Sequence, residues 1–575
     1  MKNIIKTSAV ALALGGMFVS CNDFLTIDPI DKPVLETFYN TPEALRSTTM
    51  ALYSSKAWSN FHMNFQWKMD MINGDIFYTY SDEGQWYFGT YTAVNPYLNE
   101  GWKGLYNIIL DANSIIHDII PVCNGSITEA DINQAIGEAR AFRGYCHYML
   151  AEVWHDVPVI ENNSAMIGSG TLDVPRNTQE SVYRFAMEDL DAAVELLPDD
   201  TGDNYRLNKR KARALRAKLA VTMAAHKDYG YDRDALYAKA ASDALDVIEN
   251  TQALTDIPFE TLFDVESNNG PESILAIQCG VLGYSYGNAR NVAWSRSSVI
   301  ADQTWGAGKG PTISLQNMYD RNDRRRMWTY MTNGDFYSML NRAGGGYTYQ
   351  YVSRDGSGDV LEDRNEMLAH IKKYIIGKAA DCDGNVGINQ DAANNIYLMR
   401  LADVYLTYVE AKMGTADQTA DASAMKYYNM VRQRAGVSEA SSVTYVELLK
   451  ERRRELAFES QTWFDTQRYR YRTDDATALD LLNSGYGTGY NRAAMYTPDY
   501  EKYPNIDSSN ENNADIYKIV DSKADGAQYD KIFISKDAFV APIPAAVSST
   551  SPALLGAPVD YYGGSTDGNQ PEAGE

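Results

Sequence analysis

Aromatic side chains with polar neighbours are concentrated in irregular stretches of this sequence, at about residues 73–99 and 252–394. Neutral sugars present apolar C–H faces ringed by hydroxyl groups, so a sugar site needs flat rings beside side chains that donate and accept hydrogen bonds. The rings must be exposed, which favours loops over packed helices. The sequence therefore predicts a ligand site built from Asn73, Asp75, Tyr78, Trp86, Tyr284, Tyr286, Trp294 and Trp305.

The tyrosine content supports the same interpretation. The chain has 41 Tyr against 16 Phe, so most of its rings carry a polar edge that suits half-wet surfaces. Trp154, Trp328 and Trp463 lie in or beside helical patterns and are expected in the core.

An oxygen-rich turn is the one candidate for a metal site. Asp381, Asp383 and Asn385 lie close together, and loops of this composition can hold calcium. The spacing is not that of an EF-hand, because the sixth position is Val386 where that motif requires glycine. A solvated turn is the better interpretation. We expect no cofactor, with calcium as the lesser alternative.

Catalytic motifs are missing from the sequence. It has no GxSxG, no HExxH and no glycine-rich phosphate loop with lysine, and its six histidines are isolated. A glycoside hydrolase needs only two carboxylates roughly 5–10 Å apart, and 76 acidic residues always allow such a pair to be imagined. A hydrolase therefore stays open as a less favoured alternative to a binding protein.

The first twenty residues have the pattern of a lipoprotein signal peptide. Lys2 and Lys6 precede an apolar run at 8–19, which is too short for a membrane span of roughly 20 residues. Ser20 precedes Cys21, the arrangement at which such a peptide is cut and the cysteine is acylated. Two or more acyl chains hold a protein stably at a membrane. No later segment is apolar enough to span a bilayer.

The net charge excludes one class of partner. The formal charge of −24 becomes −26 when residues 1–20 are removed, because that segment contains two lysines and no acid. A chain this acidic repels phosphate backbones, so nucleic acid is not expected as a partner.

Helical periodicity dominates the rest of the chain. Apolar residues recur at three- and four-residue steps, and short linkers join the predicted helices in pairs, as in tetratricopeptide repeats. The helical scaffold is expected at about 36–250 and 395–470, and a disordered Gly-rich acidic tail at about 563–575. The predicted helices cover residues 132–154, 179–197, 209–226, 233–250, 395–413, 421–435 and 446–464.

Five motifs in a fixed order make the chain similar to a known family. They are CNDFL at 21–25, EARAFRGY at 138–145, YLMRLADVYL at 397–406, ERRRELAFE at 451–459 and PIP at 542–544. With these motifs the sequence resembles the SusD/RagB family of surface glycan-binding lipoproteins. One departure follows Pro544, where the chain has Ser551-Pro552 in place of the usual Asn-Pro and lacks the following Gln-Asn pair.

The resemblance implies a mainly α fold, in which tetratricopeptide-like helix pairs form a right-handed superhelical scaffold with long binding loops and few short strands. It implies one domain over residues 21–575, anchored by lipid in the outer membrane and facing outwards. It also implies capture of oligosaccharide or polysaccharide, without catalysis, for a SusC-like TonB-dependent transporter. A peptide-binding lid of the same family is the alternative. The motif residues Arg143, Arg400 and Glu410 are expected to fix helix packing and not to bind ligand.

Overall fold

Helices dominate the computed structural model, which describes residues 35–562 of the chain. The predicted signal peptide, Cys21 and the acidic tail at 563–575 lie outside the described residues. The α-helices are α1 (Leu35–Phe38), α2 (Pro42–Met50), α3 (Ser59–Asn64), α4 (Lys68–Asn73), α5 (Gly84–Phe88), α6 (Pro96–Ser114), α7 (Glu129–Trp154), α8 (Asn163–Ser169), α9 (Gln179–Leu196), α10 (Lys209–Ala225), α11 (Arg233–Glu249), α12 (Arg290–Trp294), α13 (Ile313–Gln316), α14 (Arg326–Thr329), α15 (Leu401–Met413), α16 (Ala422–Ala435), α17 (Tyr445–Leu456), α18 (Thr462–Arg472), α19 (Asp475–Asn483) and α20 (Ala545–Ser548).

The strands of the described residues are short and form antiparallel pairs, β1–β3, β2–β10, β4–β9, β5–β6, β7–β8, β11–β12 and β13–β14. They are β1 (Ile76–Phe77), β2 (Ser273–Ile277), β3 (Gly310–Pro311), β4 (Tyr330–Met331), β5 (Phe336–Tyr337), β6 (Tyr347–Thr348), β7 (Ser353–Arg354), β8 (Val360–Glu362), β9 (His370–Ile371), β10 (Ile396–Arg400), β11 (Gln418–Thr419), β12 (Val443–Thr444), β13 (Met495–Pro498) and β14 (Tyr517–Val520).

The long helices begin at side-chain caps and pack in antiparallel pairs. Thr128 and Asp131 form a reciprocal capping box at the start of α7. Helix α7 packs against α9, α10 against α11, and α15 against α16. Gly144 lets α7 approach α9, because a Cβ at this position would lie 2.9 Å from the Ala186 carbonyl oxygen. The predicted mainly α fold of paired helices is therefore confirmed.

Two predicted helices were wrong in part. Residues 396–400 form β10, paired with β2 and fully buried, and only then does α15 begin. A short run that is apolar on every side fits a buried strand as well as a buried helix. The predicted helix at 446–464 is two helices, because the backbone of Phe458 and Ser460 has positive φ (66° and 61°) between them.

One apolar core cluster runs from Tyr39 to Leu554 and contains many charged side chains. Arg400 illustrates how they are satisfied, since its guanidinium lies 2.6 Å from Glu272 and 2.7 Å from both Glu455 and Glu459. Burial alone would raise the pKa of Glu455, but the charges of Arg434, Arg400 and Arg325 hold it well below its ordinary value. As predicted, the motif arginines fix the packing of the scaffold.

Within residues 35–562, no helix combines the length and the apolarity that a membrane span requires.

Candidate ligand-binding site

Several aromatic rings of the irregular segments are exposed to solvent, and four of them carry a polar atom on the ring. Trp305 is 55% exposed, Tyr284 58%, Tyr286 39% and Tyr80 59%. Large rings cost free energy when they stay in water, so several on neighbouring loops mark a surface for a partner. We call these four residues the ring site.

The loop that carries Tyr284 and Tyr286 is closed by its own backbone. The Gly280 amide donates to the Tyr286 carbonyl oxygen at 2.8 Å, and the Tyr286 amide donates to the Gly283 carbonyl oxygen at 3.1 Å. Gly283 and Ser285 both adopt positive φ, 104° and 73°. Ser285 is buried and its carbonyl oxygen accepts from the Ser55 hydroxyl, so the two tyrosines beside it are directed outwards.

Trp305 stands on a loop that is bound to the short helix α12. Its amide donates to the Val292 carbonyl oxygen at 2.9 Å, and the Gly306 amide donates to that of Ser295, also at 2.9 Å. A Cβ at Gly306 would lie 2.2 Å from the Trp294 backbone, so only glycine allows this approach. The helix therefore fixes the base of the Trp305 ring.

Tyr80 contacts the continuation of the same loop. A Cβ on Gly308 would lie 3.1 Å from the Tyr80 ring and 3.3 Å from the Tyr78 ring. The two rings lie 5.0 Å apart, and Tyr78 is buried below the surface, with its hydroxyl donating to Asp82. The predicted exposure of Tyr78 was therefore wrong, and the exposed ring belongs to Tyr80.

A buried ion cluster lies beneath these tyrosines. Glu83 is 3.1 Å from the Lys68 ammonium and 3.5 Å from that of Lys309, which also lies 4.6 Å from the Tyr78 ring centre. Burial alone would raise the pKa of Glu83, but the two ammonium groups hold it below its ordinary value. Burial lowers the pKa of Lys68 to about 8. The cluster supports the rings from below and is out of reach of a surface ligand.

Polar side chains flank the exposed rings. Asp82 is exposed near Tyr80, and Asp302 and Gln303 precede Trp305. Gln303 donates through Nε2 to the Ile388 carbonyl oxygen at 2.5 Å, which leaves its Oε1 as an acceptor. Rings for stacking and planar groups for hydrogen bonding are thus found on segments that contact each other.

Two tryptophans predicted for the site lie in the core instead. Trp86 is 0% exposed, stacked on Tyr91 at 4.0 Å and edge-on to Phe65 at 5.5 Å. Trp294 is also 0% exposed and lies 5.4 Å from the Arg290 guanidinium. The expectation of exposed stacking rings at these positions was wrong, because other parts of the chain cover both.

The predicted polar residues Asn73 and Asp75 are buried as well. Asn73 accepts from the Thr466 and Tyr486 hydroxyls at 2.9 and 3.1 Å. Asp75 accepts from Arg453 Nε at 2.5 Å, across 378 positions of sequence. These side chains join the end of α4 to α17 and α18, and their expected role in binding was wrong.

The oxygen-rich turn uses its oxygens internally. The Asp381 carboxylate accepts from the Asn341 and Arg342 amides at 3.0 and 2.7 Å, whereas Asp383 is exposed and 3.8 Å from the Arg342 guanidinium. Asn385 accepts at its carbonyl oxygen from the Ala393 amide. In the described part of the chain, no group of three or more His, Cys, Asp or Glu could hold a metal ion.

The sequence prediction missed one residue of the ring site, Tyr80, and two exposed apolar side chains on adjoining segments, Leu282 (76% exposed) and Ile388 (75%). Each adjoins a small or polar residue, Ser81, Gly283 and Gly387 respectively, within an irregular stretch, and that pattern is the signal that could have found them.

Two family profiles match the chain. One, described as the SusD family, covers residues 271–559, and another, described as starch-binding and associating with the outer membrane, covers residues 23–221. A SusD-like protein of Bacteroides ovatus is 29% identical over 470 residues, which is 81% of this chain and 83% of the relative. SusD-like protein P2 of Formosa agariphila is 26% identical over 78% of this chain and 88% of its own.

Solved structures agree with the sequence matches. A crystal structure with xylogluco-oligosaccharide superposes with a TM-score of 0.74 at 26% identity, covering 90% of this chain and 99% of its own. Since the SusD family profile alone spans half of the sequence, and the helical fold agrees with it, the chain belongs to the SusD family.

Proposed function

We propose that this protein binds oligosaccharide at the ring site and passes it to a SusC-like TonB-dependent transporter without breaking a bond. The observation that carries the proposal is the exposure of Trp305, Tyr284, Tyr286 and Tyr80. Gly308 on the Trp305 loop approaches the Tyr80 ring, and the loops of Trp305 and Tyr284 are each bonded to residues 388–391. The relative solved with xylogluco-oligosaccharide supports the choice of ligand class. We infer that residues 21–575 act as one domain in this role.

The affinity expected from such a site is modest. Each ring contributes of order 1 kcal/mol beyond the area that it buries, so two or three platforms give micromolar to millimolar binding. Weak capture suits a protein that must release its ligand, and tethering raises the local concentration.

Titration of the mature chain with a panel of soluble glycans and peptides tests the ligand. We expect binding of a glycan, loss of that binding in the Tyr284→Ala/Trp305→Ala double variant, and unchanged binding in Tyr500→Ala. Tyr500 is a suitable control because it is 62% exposed and lies between β13 and β14, on a different segment. Binding of peptides alone would favour the peptide-lid alternative.

The absence of turnover is tested on the same material. The best-binding oligosaccharide, incubated with excess protein, is expected to be recovered intact by chromatography. Appearance of shorter products at a rate proportional to protein concentration would contradict the proposal and support the hydrolase alternative.

Membrane anchoring and delivery to a transporter are tested in whole cells. We propose that acylation of Cys21 holds the protein in the outer membrane, facing outwards, which agrees with the outer-membrane description of the matching profile. Wild type is expected in the outer-membrane fraction, accessible to added protease and purified with a TonB-dependent transporter. Cys21→Ala is expected in the soluble fraction. A soluble wild type, or one recovered without a transporter, would contradict this part.

A further inference from the structure

A hairpin lies between the loop that carries Tyr284 and the loop that carries Trp305. Its ends are paired by an antiparallel bridge between Val386 and Ala392, and both of these side chains pack on Ile376 in a small apolar cluster. We call residues 386–392 the bridging hairpin. In the sequence, this segment directly follows the oxygen-rich turn that is the candidate calcium site.

Asp391 joins this hairpin to the tyrosine loop. The side chain is 2% exposed, and its Oδ2 accepts from the Gly283 amide at 2.7 Å while Oδ1 accepts from the Asn389 amide at 3.0 Å. A Cβ on Gly287 would lie 2.3 Å from the Asp391 Cα, so the two backbones are in direct contact. A buried carboxylate that accepts two amides holds both segments in one arrangement.

The other side of the hairpin is bound to the tryptophan loop. Gln303 donates through Nε2 to the Ile388 carbonyl oxygen at 2.5 Å. Just before the hairpin, the Ala379 amide donates to the Asp302 carboxylate at 2.9 Å. Both bonds involve residues within three positions of Trp305, so the hairpin and α12 together hold the segment that carries that ring.

We infer that Asp391 is a positioning residue that sets Tyr284 and Trp305 at a fixed spacing, so that the ligand is a glycan chain long enough to contact both rings. This inference rests on the proposed function. It adds that the site selects for chain length. Asp391 itself is too deeply buried to contact the glycan.

The physical reason is that the second contact becomes intramolecular. Once one sugar unit stacks on Trp305, a unit further along the same chain meets Tyr284 at a high effective concentration, provided that the spacing is fixed. Loops that move independently lose this advantage, because ordering them has an entropic cost at each binding event. Short oligosaccharides reach one ring only and gain nothing from the spacing.

The experiment titrates wild type with a ladder of oligosaccharides of one linkage, from disaccharide upwards, using the best-binding glycan of the panel. Wild type should show a step of about five- to tenfold in Kd at the length that reaches the second ring. Asp391→Ala should abolish the step and change the Kd of the shortest binding ligand by less than about twofold. Gln303→Ala should also abolish the step; because Gln303 itself flanks Trp305, its effect is measured as the ratio of the Kd values of short and long ligands. Asp383→Ala, an exposed position just before the same hairpin, should keep the step.

Thermal unfolding of each variant separates positioning from general loss of structure. Gln303→Ala removes one hydrogen bond at the surface, so its Tm should match that of wild type even if Asp391→Ala is less stable. A step that persists in Gln303→Ala and Asp391→Ala, or a wild type that binds through its rings without any step, would overturn the inference and leave the proposed function intact. Wild type that binds no glycan would refute the proposed function itself.

Discussion

Replacement of Trp305 by alanine is the perturbation whose effect the structure defines best. The ring is 55% exposed, and backbone hydrogen bonds to α12 hold its loop. Among the described residues, no side chain forms a hydrogen bond with the indole. The substitution should therefore change the binding surface and leave the fold alone.

The magnitude follows from the exposed area. A Trp side chain presents up to roughly 250 Å², so the exposed part of Trp305 is roughly 140 Å². A sugar unit stacked on one face covers about half of it, roughly 70 Å², and at about 25 cal/mol per Å² this contributes about 1.8 kcal/mol. The expected weakening of Kd is roughly 20-fold.

Isothermal titration with the best-binding oligosaccharide measures this change, with thermal unfolding as the check on the fold. Trp305→Phe should lie between wild type and Trp305→Ala, because the smaller ring keeps part of the stacking area. Tyr500→Ala should match wild type in Kd. An unchanged Kd in Trp305→Ala, with saturable binding in wild type, would refute the reasoning about the ring site.

Three further predictions concern the scaffold and the loops. Gly306→Ala should weaken glycan binding by about as much as Trp305→Ala, because the new Cβ would lie 2.2 Å from the Trp294 backbone and displace the Trp305 loop. Titration with the glycan measures this change, and an unchanged Kd would contradict it. Arg325→Met should lower the free energy of unfolding by about 3–5 kcal/mol in urea, because it leaves the buried Asp323 carboxylate without its cation and removes one of the cations around Glu451 and Glu455. Burial lowers the pKa of His226 to about 2. Below about pH 6.5 the unfolded chain therefore binds a proton that the folded chain does not, and the free energy of unfolding decreases as the pH decreases. His226→Phe should therefore lose about 2 kcal/mol less than wild type between pH 7 and 5 in urea unfolding, and parallel pH profiles would contradict this.

Much of the scaffold could be predicted because periodicity and capping are local. The pattern at 132–154 predicted α7 almost to its ends, since one face must be buried whatever lies opposite. The buried strand β10 could not be predicted in the same way. Its apolar residues fit a helix or a strand equally, and the choice is made by β2, more than a hundred positions earlier.

The site was harder to predict because exposure is a tertiary property. Trp86 and Trp305 have similar irregular surroundings in the sequence, but Phe65 and Tyr91 cover the first, whereas the second stays open. Asp75 has the composition of a sugar-binding residue, and only the approach of Arg453 shows that its carboxylate is already occupied. The tyrosine loop was predicted correctly as exposed because Gly280, Gly283 and Gly287 leave few side chains to cover its rings.

A crystal structure of the mature protein with the best-binding oligosaccharide tests most directly whether the ring site binds glycan. We expect sugar units stacked on Trp305 and on Tyr284 or Tyr286, with Asp391 unmoved beneath the glycan. A glycan seated elsewhere, such as the cavity of about 240 Å³ between α2 and α7, with the four exposed rings untouched, would contradict it.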